Sequence, residues 1–253
     1  MKQVSLFFLL MLISLMTAMG QKDKAQSDDK AQMEAMKQMM AAMLGSQNCE
    51  IAADYPFDHD FDMTISQYDK KGKMDSQMSM RCFLNDAGTV LGYEILKSSE
   101  KKVPPAKMIL EVKNKKMVTL VDQDGQKMAI CMDLNNPMFN QGRGVDDPMG
   151  ELTKTGRTKT ILDHRCEEWQ MDDDQSTTSF WIAEKSSLPM ARFYSTMETM
   201  QSSPFGQHKM PSKGMMMQME SVSKKNGDRT TMEVTALHPQ RKSRISTSGY
   251  QKM

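Results

Sequence analysis

The groups able to do chemistry in this 253-residue chain are its sulfur atoms and a thin scatter of histidines and carboxylates. Cys49, Cys82, Cys131 and Cys166 stand far apart, with no CxxC pair to suggest a zinc knuckle or a dithiol redox motif. Four cysteines are compatible with two disulfides in any of three connectivities, and equally with isolated thiols that pack as small hydrophobes. His59, His164, His208 and His238 show no HExxH or HxH spacing, and the chain has neither a Gly-x-Ser-x-Gly elbow nor a phosphate-binding loop. In Asp58-His59-Asp60, strand alternation sends His59 to the face opposite both carboxylates, which predicts a structural histidine. Asp172-Asp173-Asp174 lacks the glycine and distal glutamate of a calcium loop and reads as a hairpin turn. Glu167 and Glu168 fall on opposite strand faces and form no acid–base pair. The expectation is a protein without a catalytic site, a cofactor or a resident metal.

Methionine is the unusual residue, at 30 copies. Its flexible thioether fills irregular cores, lines adaptable apolar pockets, and selects soft cations such as Cu(I) or Ag(I). Met78-Ser79-Met80 and Met215-Met216-Met217-Gln218-Met219, with His208 and Met210 nearby, have the ligand types for a soft metal. Met-x-Met on a strand is also simple core alternation, and the histidines are few and spread along the chain. Core packing is the first reading, an adaptable apolar pocket the second and a soft-metal site the third.

These side chains need elements to hold them. Residues 21–30 are charged and small and read as a disordered leader. From Ala31 to Leu44, Met33, Met36, Met39, Met40, Met43 and Leu44 share an arc of about 140° on a helix, with Glu34 and Gln38 opposite. After Cys49 the apolar period changes to two. Phe57, His59, Phe61, Met63 and Ile65 alternate with polar residues, and Met74, Met78, Met80 and Cys82 share a face of the next strand. Short strands continue through 89–96, 107–112, 117–121 and 127–132, joined by connections of hairpin length. A loop rich in glycine and proline spans 133–150, and strands resume at 157–162, 166–171 and 177–183. Ser187-Leu188-Pro189 then opens a helix whose apolar positions are Met190, Phe193, Tyr194, Met197 and Met200. Residues 204–214 form a loop. Strands 215–223 and 229–237 flank Lys225-Asn226-Gly227-Asp228, the best hairpin signal in the chain, and 244–247 is the last strand. The sum is a mainly β (α+β) fold: a curved antiparallel sheet or half-open β-barrel of about eleven strands, with two amphipathic helices across its concave side as lid or plug.

The first 20 residues have the form of an export signal. Lys2 precedes an apolar run from Leu6 to Met16, and Ala18-Met19-Gly20 sets small residues before Gln21. That run is too short to span a bilayer, which takes about 20 apolar residues. The organisation expected is a signal peptide over 1–20, a leader with a Met-rich helix over 21–48, and a β-rich half-barrel over 49–253. Removing Lys2 leaves basic and acidic residues equal at 32 each, which excludes a nucleic-acid binder relying on a basic surface. The expected product is exported and soluble, with at most peripheral membrane contact.

The second half resembles a known family. Gly-x-x-Cys-Glu-x-[Tyr/Trp] and Trp-x-[Ala/Thr] strands mark an exported bacterial domain of unknown function with a lipoprotein-carrier-like fold. Lys159–Trp169 is similar to its first strand and Ser179-Phe180-Trp181-Ile182-Ala183 to its second. Gly214–Glu220, Thr231–Thr235 and the closing Ser248-Gly249-Tyr250-Gln251-Lys252 resemble its later strands, so the likeness covers roughly residues 55 to 253. Asp163-His164 departs from the small residues usual there. The resemblance implies a half-open barrel plugged by helices, a periplasmic or extracellular location in a Gram-negative-type bacterium, and a lipid or lipidated protein as partner. The cavity expected is lined by Phe61, Met63, Ile65, Met78 and Met80 from the first strands and by Met215, Met217 and Met219 from a later one. Met36, Met40, Phe193 and Met197 would close it from the helices.

Overall fold

A computed structural model of the chain describes residues 49–99, 106–123, 125–134, 152–198 and 214–252. The Met-rich helix expected over 31–44, with Met36 and Met40, lies outside the described residues, as does the export signal. Among the described residues the fold is mainly β, a large curved twelve-stranded sheet that does not close into a barrel, plus a two-stranded sheet and one helix.

The strands come in two meanders. The first contains β2 (His59–Tyr68), β3 (Met74–Leu84), β4 (Val90–Ser98), β5 (Ala106–Glu111), β6 (Lys116–Gln123) and β7 (Gln126–Asp133). The second contains β8 (Leu152–Ile161), β9 (His164–Asp172), β10 (Ser176–Ala183), β11 (Met215–Ser223) and β12 (Arg229–His238). In space β7-β6-β5-β4-β3-β2 meets β12-β11-β10-β9-β8, so the meanders join along an antiparallel seam between β2 and β12. The consecutive strands β7 and β8 therefore lie near opposite margins of one sheet. A two-residue parallel strand, β14 (Gln251–Lys252), caps the β7 margin. Hairpin chemistry explains the tight connections: Gly227 at φ 76° closes the Asn-Gly turn, and its N–H donates to the Ser223 carbonyl.

Helix α1 (Met190–Glu198) enters at Pro189, with the Ser186 hydroxyl accepting from Leu188 N–H at 3.1 Å. It sits on the turn between β3 and β4: a Cβ built at Gly88 would come within 2.7 Å of the Phe193 backbone nitrogen. Arg192 donates to the Asp86 carbonyl of the same turn at 2.9 Å.

Both faces of the first meander are covered, whereas the sequence pattern predicts a cover of two helices on the concave side alone. Under α1, Leu188, Met190 and Phe193 pack with Phe61, Met63, Met80 and Cys82. On the other face a strap over 49–57, ending in β1 (Asp54–Phe57) paired with β13 (Ser243–Ser246), covers a second core. Ile51, Tyr55, Phe57 and Ile245 pack there on Phe83, Ile109, Val118 and Leu120. The cue was Met117-Val118-Thr119-Leu120-Val121, a nearly unbroken apolar run of the kind that two buried faces demand. Cys49 and Cys131 form a disulfide that pins the strap to β7, while Cys82 and Cys166 are buried free thiols.

Candidate functional site

Directly opposed residues on antiparallel strands share a face, so the pairing registers order the helix-bearing face into rows. Nearest α1, Cys82 and Leu237 flank Phe61, and in the next row Met80 and Val234 flank Met63. All but Leu237 are buried, with Met217, two residues before Met219, in the same core. The third row crosses six strands as Met78, Ile65, Met232, Met219, Phe180 and Trp169. Its five inter-strand steps of about 4.8 Å make it roughly 24 Å long. Met78, Ile65 and Phe180 are buried, while Met232, Met219 and Trp169 are only half-buried. The fourth row, two residues further along, is polar over five strands, Ser76, Gln67, Thr230, Ser221 and Thr178, and ends in half-buried Met171 and Leu152. The Ser76 hydroxyl donates to Gln67 Oε1 at 3.0 Å, and the Thr178 and Ser221 hydroxyls are 2.9 Å apart. From α1 outward, the face thus passes from sealed apolar side chains through a half-open apolar row to a row of hydroxyls and an amide.

Eight of the twelve expected liners meet in one core: Phe61, Met63, Ile65, Met78, Met80, Met215, Met217 and Phe193. Met219 is half-buried, in the open row. Met197 belongs to α1, but its side chain lies outside the described residues. Phe180, Trp169 and Met232 were missed, because alternation within a strand finds a face but not which residues oppose each other across strands. A bulge between Trp181 and Ile182, opposite the methionine run, further disturbs the simple count.

In the core beside α1, burial favours the neutral forms of Cys82, Tyr93 and Tyr194. Cys82 Sγ lies 3.3 Å from Met63 Sδ, and desolvation pushes its thiol well up, helped by the charges of Asp62 and Asp60. Burial also pushes the Tyr93 phenol up, and that of Tyr194 to about 12. The expected structural role of His59 fits its contacts. Nδ1 accepts from Gln240 N–H at 3.0 Å, which leaves Nε2 to donate to Asp86 at 2.6 Å.

The opposite face of the seam carries a charge cluster. Asp60, Asp62 and His238 bring three possible metal-ligand atoms within 4.8 Å of one another. Two guanidiniums already engage the carboxylates, Arg241 gripping the buried Asp60 with two nitrogens and Arg81 gripping Asp62 at 2.7 and 3.1 Å. With two cations on two anions, no excess negative charge remains to hold a metal ion. Arg81 also holds the Asp62 carboxyl below the usual range. One residue removed from the third row, Ser79, Thr64, Glu233, Gln218 and Glu168 form a polar row interrupted by Trp181, which packs against the core that contains Met190 and Phe193. Lys159 reaches Gln218 and lies 4.1 Å over the Trp181 ring, and burial lowers its ammonium pKa. Asp173, in the acidic turn, accepts from the Gln175 and Ser176 N–H groups, both at 2.8 Å, the work of a hairpin turn.

No protein-family model matches the chain, and no curated protein does. Among solved structures, PNGF-II is similar at 11% identity and a TM-score of 0.36; the match covers 77% of this chain but only 30% of that one. A conserved uncharacterized protein from Thermus thermophilus is similar at 6% identity and a TM-score of 0.41, covering 86% of this chain and 98% of that one. A DUF1329 family protein from Desulfovibrio piger gives 10% identity and a TM-score of 0.31, with 86% and 96% covered. A Vibrio parahaemolyticus domain described as outer membrane lipoprotein-sorting gives 7% and 0.30, with 86% and 93% covered. At such scores neither a shared fold nor a function transfers to this chain. No described helix is long and apolar enough to cross a membrane.

Proposed function

We propose that the protein is an exported, non-enzymatic carrier that holds an amphiphile, a lipid or an acylated segment, against the helix-bearing face of its sheet. One observation carries this reading: the graded sequence of rows, sealed apolar under α1, half-open apolar at Met232, Met219 and Trp169, then hydroxylic. An extended apolar chain lying along the third row would bury itself on side chains that are otherwise partly wet, gaining roughly 25 cal/mol per Å² of apolar surface removed from water. Thioethers accommodate variation in such a chain. The export signal and the resemblance of the second half to a carrier-like domain agree with the reading.

The test is titration with the uncharged fluorophore N-phenylnaphthylamine, whose emission rises in apolar surroundings. A saturable rise is expected, weakened by Met219→Glu and by Met232→Glu, since a charge in the row disfavours an apolar occupant. Non-saturable binding, or binding that both variants leave unchanged, overturns the reading. A soft-metal role has one observation behind it, the contact between Cys82 Sγ and Met63 Sδ. Both atoms are buried and the thiol is held protonated, so the amphiphile reading is preferred.

A further inference from the structure

The row of hydroxyls has no ionised member, and this restricts what can lie against it. Resting on the carrier reading, we infer that the ligand is an uncharged amphiphile, its head a polyol or its ester and its tail along the row from Met78 to Trp169. Ser76, Gln67, Thr230, Ser221 and Thr178 each donate and accept hydrogen bonds, the capacity that hydroxyl and ester groups match. One strand step further out, Ser176 opposes Ser223, again hydroxyl to hydroxyl.

Three charges that border these rows are already committed. Lys154, which continues the third row beyond Trp169, is bound to Glu167 and lies 3.9 Å from Glu184. Asp173 accepts two backbone N–H groups within its own turn. Asp172 is paired with Lys224 at 2.9 Å. A carboxylate or phosphate laid on the hydroxyl row would find no cation within the row itself, the lysines Lys70, Lys73 and Lys225 standing on the exposed turns beyond it, and would surrender hydration without a counter-charge in contact. A neutral head exchanges water for hydroxyl and amide partners at little net cost. Thr178 is buried at 5% exposure, whereas Ser221, Thr230, Gln67 and Ser76 are half-buried and within reach of a ligand lying in the row.

Trp169 is one of two tryptophans, so Trp181→Phe turns it into a reporter placed inside the proposed site. Monolauroylglycerol, laurate and dodecyl phosphate, each below its micelle threshold, are titrated into that protein at about pH 8, where both acids are ionised. The glycerol ester is expected to bind at least about tenfold more tightly than either anion. Adding Thr178→Val with Ser221→Ala, which removes both partners of one hydroxyl pair, should cut that preference about threefold or more. Thr230→Val, at a half-buried position, should do the same, and neither change should alter the anions' affinity. Anion affinity equal to or above that of the ester overturns the assignment of the head while leaving the apolar row intact. So does a preference that both variants leave unchanged in proteins with native near-ultraviolet dichroism. Absence of saturable binding by all three probes overturns the carrier reading itself.

Discussion

Replacing Cys49 and Cys131 by serine is expected to lower stability by about 3–4.5 kcal/mol while leaving the folded structure in place. The bond joins positions 82 residues apart. Closing a loop of that size restricts the unfolded chain by an entropy worth about 4.5 kcal/mol at room temperature, an upper value because real unfolded chains are already compact. The native strap has other anchors. Ile51, Tyr55 and Phe57 are each at most 4% exposed, and burying such side chains is worth about 2 kcal/mol apiece. The Tyr55 hydroxyl also donates to buried Glu111 at 2.9 Å, and Thr247 N–H donates to the Ala53 carbonyl at 2.9 Å. The strap should therefore stay seated when the bond is gone. Urea unfolding followed by tryptophan fluorescence measures the loss, and hydrogen exchange across 54–57 measures whether β1 remains paired. A loss under about 1 kcal/mol refutes the entropic argument. Unprotected β1 amides in the variant would refute the claim that packing holds the strap.

Three further outcomes follow from named contacts. Asp60→Asn removes the negative partner of Arg241 at a position 1% exposed; because Arg241 reaches water, the expected cost is about 2–3 kcal/mol, read as a lower urea midpoint. The Asp62 carboxyl is depressed in the folded state by Arg81, so its contribution is present above its unfolded pKa of about 3.9 and is lost as pH falls through the lower folded value. Asp62→Asn should accordingly flatten the acid limb of a stability–pH profile below about pH 4, and an unchanged limb would dismiss this pair as a source of acid sensitivity. Leu162, exposed at φ 47° in the two-residue β8–β9 turn, occupies backbone space that favours Asn or Gly. Leu162→Asn should raise stability by about 1 kcal/mol; a fall would mean that the leucine makes a contact outweighing its backbone strain.

Local rules were enough to read most strands, because alternation and turn chemistry are properties of a few adjacent residues. Phe61, Met63 and Ile65 announce one face of β2 in this way, and Asn226-Gly227 announces its hairpin. Three features needed distances that sequence does not carry. The partner of Cys49 depended on the strap crossing to β7. The second core depended on β1 and β13, short strands separated by nearly the whole described chain. The open apolar row depended on register, which places Trp169 beside Phe180 and Met219 beside Met232. The composition of Trp169 and Phe180 as strand aromatics was visible, yet nothing in either strand alone says that they continue a row begun by Met78.

The seam between β2 and β12 sets a timetable for the molecule. Neighbouring strands β2 to β7, β8 to β10, and β11 with β12 can each close early, but Ile65 meets Met232 only after most of the chain has been synthesised. Until then β2 waits as an unpaired border, its apolar residues Phe61, Met63 and Ile65 beside a free line of amides, a template for pairing with a neighbouring molecule. Joining the halves removes that border at one stroke and brings Arg241 and Gln240 onto Asp60 and His59. The last strands made are thus the ones that end the molecule's exposure to aggregation, and a chain cut short before β12 would carry a complete first meander with its most adhesive side permanently open.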